Sequence, residues 1–146
     1  MPTLNTFDNR LAAIARPLLA GSAVRFIAYL GLCAAYLQGG LVKLTDWPGA
    51  IAEMNHFGLS PAPLFAALVI ALELGASALI LTGRSRWLGA VMLGGFTLLA
   101  TGIALRFWEF PAGQERFMAA NSFFEHLGLA GGFLFVAWHD LQEQRP

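Results

Sequence analysis

Charge is scarce in this chain. Only 12% of its 146 residues are Asp, Glu, Lys or Arg, where a soluble domain carries about 25%. Nine basic and nine acidic residues cancel. With no basic excess, nothing attracts nucleic acid, and no run of like charge marks a solvated tail. Cysteine is nearly missing, because Cys33 stands alone. A single thiol forms no internal disulfide, and no CxxC or Cys/His pattern surrounds it to hold a metal. It lies in an apolar run and reads as a small buried hydrophobe. GxxxxGK, GxGxxG after a strand, HExxH and GxSxG are all absent. Nucleotide, zinc-protease and serine-hydrolase chemistries therefore have no signature here.

Long apolar runs are abundant. A bilayer-crossing helix needs about 20 mainly apolar residues, and four stretches meet that length: 22–43, 63–82, 87–107 and 120–138. Pro48, Gly58, Pro61, Pro63, the "GRSR" turn, Pro111 and Gly113 punctuate the intervals, as loops require. The first run is too long and too late for a cleaved signal, and three more runs follow it. Two segments outside the spans look helical. Residues 8–20 form an amphipathic surface helix bent by Pro17. Residues 46–57 open with Asp46 as N-cap and Pro48 in the first turn, carry Trp47, Ile51 and Met54 at helical spacing, and close at Gly58. The expectation is a single all-α membrane domain over 1–146: a four-helix bundle, a short amphipathic N-terminal helix, and an interfacial helix between spans one and two.

Basic residues set the expected orientation. Arg10, Arg16, Arg25, Arg84, Arg86 and Arg145 fall on one side, and Lys43, Arg106 and Arg116 on the other. This places both termini in the cytoplasm.

Charges within membrane depth are costly and face a bundle interior with a partner. In span one Arg25, Tyr29, Leu32, Tyr36, Gly39 and Lys43 step by four and three, one helix face. Arg25 and Lys43 near the ends also fit simple snorkelling. Glu73 sits in the middle of span two and cannot snorkel. It shares a face with Ala66, Ile70 and Ser77, and it reads either as helix–helix glue or as a functional carboxylate. Thr97 and Thr101 read as structural hydroxyls bonding their own helix carbonyls. Asn121, Glu125, Gly128 and Gly132 share a face of span four, with His126 beside it. His126 offers a hydrogen-bonding imidazole. A metal site is not expected, although Glu53, His56 and His126 converge on one end in sequence terms.

Depth by residue count groups Tyr36, Lys43, Glu73, Arg106, Glu125 and His126 in the outer half, roofed by the 46–57 helix. A ligand pocket opening outward is expected there. The opposite half is expected to hold only Arg25 among apolar packing.

The order of "GGLVKLTDW", "FGLSPAP", "ALELGASALILTGRSRW" and "FFEHLGLAGGFLF" resembles the DoxX family of small bacterial inner-membrane proteins over residues 22–138. That resemblance implies four membrane helices in the plasma membrane. It implies function loosely: a related archaeal subunit belongs to a thiosulfate:quinone oxidoreductase, some members belong to redox-stress complexes, and distant relatives are membrane chaperones. Three roles compete. One is a redox-associated subunit with a quinone-sized pocket. Another is a non-catalytic assembly protein that stabilises a membrane or redox partner, or a second copy, within the lipid bilayer. The third is a small-solute or proton-coupled transporter using Glu73, disfavoured for a chain that does not oligomerise because four spans carry no broken-helix pair.

Overall fold

The structure is a computed structural model that describes residues 3–144. Arg145, counted in the charge balance, lies outside the described residues. The described chain is all-helical with no strand, and it divides at Gly31/Leu32 into two compact units.

The first unit holds α1 (Thr3–Leu19) and the opening of α2 (Ser22–Thr45). Along α1, Phe7, Leu11, Ile14 and Leu18 recur at four, three and four residues and are 50–67% exposed. That spacing forms one apolar stripe with nothing of its own unit over it, as on a helix lying in a membrane surface. The helix starts earlier than expected, at Thr3, and passes through Pro17 before the chain turns at Ala20-Gly21.

The second unit contains the rest of α2, then α3 (Trp47–His56), α4 (Ala62–Thr82), α5 (Arg86–Ala104), a short 3-10 turn (Phe107–Glu109) and α6 (Gln114–Glu143). Asp46 caps α3 as its sequence suggests, its Oδ1 accepting from the Gly49 amide at 3.1 Å, and Pro48 fills the first turn, where a missing N–H is harmless. Ala50 and Met54 of α3 are buried against Ala62 and Ala66 of α4, with Ile51, Leu59, Phe65 and Val69 around them. This cluster folds the short helix back over the start of α4.

Among the described residues three helices are long and apolar enough to cross a membrane: α2, α4, and α5 continued to Glu109. The expected fourth, α6, is the longest at 30 residues, yet it is not among those three. Asn121, Glu125 and His126 in its first half dilute the apolar run.

Close packing depends on small residues. At Gly40 a Cβ would lie 2.8 Å from the Leu74 side chain, so only glycine lets α4 come this near to α2. At Gly89 a Cβ would lie 2.6 Å from the Ala76 carbonyl, which brings α4 and α5 together beside their connecting turn. That turn ends α4 at Gly83, whose φ of 78° is left-handed and whose amide donates to the Leu79 carbonyl.

The turn end is not purely apolar, contrary to expectation. Asp140, buried on α6, accepts from the Trp87 amide at 3.0 Å and from Gln144 Nε2 at 2.9 Å. Arg86 Nη1 lies 3.5 Å from its other oxygen, while Arg86 Nε donates to the Ile80 carbonyl at 3.0 Å. A carboxylate from α6 thus caps the amino end of α5, where the unpaired N–H groups and the helix dipole favour negative charge. Residue counting placed Asp140 beyond the last span and so overlooked it.

Candidate functional site

From the Gly89 contact the helices α4 and α5 separate toward the α3 end. A cavity of about 450 Å³ occupies the gap, within the size range of small-molecule sites. Its walls are mostly apolar: Phe65 and Val69 of α4, Phe96, Ala100 and Ile103 of α5, and Leu129 of α6. Met54 and Phe57 close it from the α3 side. Leu99 lines the cavity while 70% exposed, and Ile103 while 41% exposed. The gap therefore reaches the apolar flank of α5.

Three polar groups enter this apolar space. The first is an ion triad. Lys43 Nζ lies 3.5 Å from Glu73 Oε2 and 3.6 Å from Glu53 Oε2. Glu73 is buried with a side-chain exposure of 7%, Lys43 has 14%, and Glu53, at the edge, has 42%. Gly40, where a Cβ would stand 2.8 Å from Leu74, lets α4 come this close, and Gly39 adds no side chain between the two charges. A Cβ on Gly39 would stand 3.5 Å from both Glu73 Oε1 and Lys43 Nζ, and Gly40 meets the Glu73 Cβ. Without side chains at 39 and 40, the Glu73 carboxylate lies against α2 within reach of the lysine one turn on. Glu73 Oε2 accepts no hydrogen bond among the described residues.

The second group is Tyr36, buried on α2 and hydrogen-bonded to Thr97 of α5. Its ring packs edge-on against Phe133 of α6, with centroids 5.4 Å apart, and against Phe96 at 6.5 Å. The third is His126, whose Nδ1 is 2.9 Å from Thr101 Oγ1. Both threonines also bond their own helix, Thr97 to the Leu93 carbonyl and Thr101 to the Thr97 carbonyl, each at 2.6 Å. They keep the structural role expected of them, and they also anchor the two ring side chains that line the site.

Of the six residues singled out from sequence, Tyr36, Lys43, Glu73 and His126 come together on this cavity. Arg106 and Glu125 do not. Arg106 pairs with Glu109 at 3.0 Å and borders a smaller neighbouring cavity of about 250 Å³ with His56 and Phe110. Glu125 is exposed. The periodicity of α6 was read correctly but its phase was not. The inward face is His126, Leu129, Phe133, Val136 and Asp140, and the face holding Asn121, Glu125 and Gly128 turns out. Glu53 is the cavity residue that sequence reading left out of the site. Its only signal was that Asp46 starts a helix folding back toward the end of α2. Among the described residues no cluster of three or more metal-ligating side chains forms.

The glycine pair, Lys43, Glu73 and the tight Gly83 turn all fall within one stretch that matches a known sequence family. The DoxX family model covers residues 24–108. The chain belongs to the DoxX family. The matched segment carries Tyr36, Lys43, Glu53, Glu73, Thr97 and Thr101, and it ends before α6 brings His126. No curated protein and no solved structure matches the chain.

Proposed function

We propose that this DoxX-family membrane protein holds a small amphipathic molecule in the cavity between α4 and α5. In this reading it is a ligand-binding subunit of a redox system, with a quinone-like ring as the ligand. The supporting observation is the buried Lys43–Glu73 pair facing an otherwise apolar space of about 450 Å³. A buried ion pair beside an unfilled apolar cavity is a poor device for stability alone. An apolar body with a polar head suits both halves of the lining. Exposed Leu99 and Ile103 at the edge let an isoprenoid or alkyl tail run out along the flank of α5. In this proposal α6 crosses the bacterial inner membrane as a fourth span and both termini are cytoplasmic, because Arg84 and Arg86 lie at the α4–α5 turn and basic residues favour the cytoplasmic side.

The test is purification in mild detergent followed by mass spectrometry of the extracted ligand, with difference spectra on adding a short-chain benzoquinone. A stoichiometric ligand that is lost in Glu73→Leu supports the reading. An empty protein with no spectral response to the quinone or to its reduced form overturns it.

One observation favours a second reading, in which α6 docks a partner helix. Asn121, Glu125 and Gly128 form an exposed face of α6, and Glu125 has no ion pair among the described residues. A carboxylate in lipid is unfavourable, and a partner carrying a donor relieves it. A stoichiometric partner recovered with the wild type and lost with Glu125→Leu supports assembly; a lone protein in both opposes it.

A further inference from the structure

The polar lining of the cavity contains an imbalance that follows from counting protons. A threonine hydroxyl has one proton to donate. Thr97 donates its proton to the Leu93 carbonyl and Thr101 to the Thr97 carbonyl, both at 2.6 Å. In the contacts with α2 and α6 these hydroxyls must therefore accept. Tyr36 donates its phenolic proton to Thr97 Oγ1, and His126 donates from Nδ1 to Thr101 Oγ1 at 2.9 Å. The phenol keeps only lone pairs to offer. In the tautomer with its proton on Nδ1, the imidazole keeps an acceptor at Nε2.

The ion triad tilts the same way. Its single ammonium stands between two carboxylates, 3.5 Å from Glu73 Oε2 and 3.6 Å from Glu53 Oε2. The oxygen on Glu73 is buried and, apart from its 3.5 Å approach to the ammonium, meets no hydrogen-bond donor among the described residues. The walls are helical, so their backbone N–H groups are already used in the helix ladders. The lining thus offers Glu73 Oε2, the Tyr36 oxygen, His126 Nε2 and the Glu53 carboxylate as acceptors. Against these stands one ammonium, whose three N–H groups serve two carboxylates and leave at most one for a ligand.

We propose that the polar end of this cavity selects a head group that donates hydrogen bonds over one of the same size that only accepts them. The inference rests on the cavity reading above and specifies the chemistry of its ligand. A carbonyl head finds at most one N–H of Lys43 and supplies no proton to Glu73 Oε2. A hydroxyl or ammonium head supplies the missing proton. Sites built around a hydrogen bond reject the analogue that lacks it more strongly than apolar pockets reject a change of shape. The hydroxyls of a hydroquinone and the ammonium of an alkylamine share this chemistry. A benzoquinone, with carbonyls in place of hydroxyls, lacks it.

The experiment is titration of the full chain in nanodiscs, under anaerobic conditions, with three probes: a decyl-substituted hydroquinone, the corresponding decyl benzoquinone, and decylamine. A donor probe is expected to bind about tenfold tighter than the benzoquinone. For the hydroquinone, a tenfold preference raises the two-electron potential of the bound couple by about 30 mV. Preference in the hydroquinone arm assigns a hydroxyl ligand, and preference in the decylamine arm alone assigns a cationic one. Glu73→Gln, which exchanges one acceptor for a donor, is expected to reduce the preference to about threefold or less. The wild-type ratio decides the matter even if that variant does not fold. Benzoquinone binding as tightly as both donor probes overturns the proposal and leaves the cavity reading standing. Failure of all three probes to bind overturns both.

Discussion

Lys43 has two defensible roles when only the sequence is considered, because a lysine at the end of a span reaches water easily. In the fold it turns inward to Glu73, and Glu53 joins from α3. Helix-face spacing named Tyr36 and Lys43 together, and the midspan position named Glu73. The pairing itself was not legible, since it depends on where Gly39 and Gly40 allow α4 to lie. Removing the cation leaves a carboxylate buried alone, which costs about 3–5 kcal/mol in comparable buried pairs. Lys43→Met is therefore expected to lower the unfolding midpoint of the detergent-solubilised protein strongly. Adding Glu73→Leu should restore most of the loss. A double variant no better than Lys43→Met would show that the pair is not the source of the effect.

Among the elements, α4 and α5 carry the main lesson. Their tight end is set by Gly89 against the Ala76 carbonyl and by the Asp140 cap, and their open end makes the cavity. Gly89→Ala forces a Cβ to 2.6 Å from a backbone oxygen and is expected to destabilise by about 1–3 kcal/mol, the usual range for overpacking. Gly75→Ala on the same α4 meets nothing within 4 Å. It should be neutral or stabilise by up to about 1 kcal/mol through helix propensity. Equal melting shifts for the two variants would contradict this packing. Asp140→Ala removes the α5 cap and leaves Arg86 without that carboxylate, for an expected loss of about 2 kcal/mol or more. Gln144→Ala, which removes only a neutral donor from the same carboxylate, should cost much less in the same thermal assay.

At the scale of the whole molecule, the question is how many helices cross. Composition marks three of them, while α6 places His126 on the cavity and Asp140 on the α5 cap. A helix packed along the length of α5 at both ends runs the same course as α5. If α6 crosses, reporter fusions at the two termini report the same side of the membrane, with a reporter at the "GRSR" turn on that side as well. Termini on opposite sides would remove α6 from the spans. The helices α2 to α5 and their approximate boundaries were legible because hydropathy, proline, glycine and capping residues act locally, whereas α1 begins five residues before the expected start. The hydropathy of α6 was ambiguous because it carries polar residues on both sides, His126 and Asp140 inward and Asn121 and Glu125 outward.

Sequence alone decided the helical membrane architecture, the capped α3, the tight Gly83 turn and the membership of Tyr36, Lys43 and Glu73 in inward faces. These follow from local chemistry: helix period, apolar length, and the conformations that glycine, proline and aspartate favour. Only tertiary structure decided which acid meets Lys43, that Glu53 joins it, that His126 rather than Glu125 faces inward, and that Asp140 is buried. Periodicity fixes which residues share a helix face. The rotation and spacing of that face come from contacts between helices, here Gly40 on Leu74 and Gly89 on Ala76, which lie far apart along the chain.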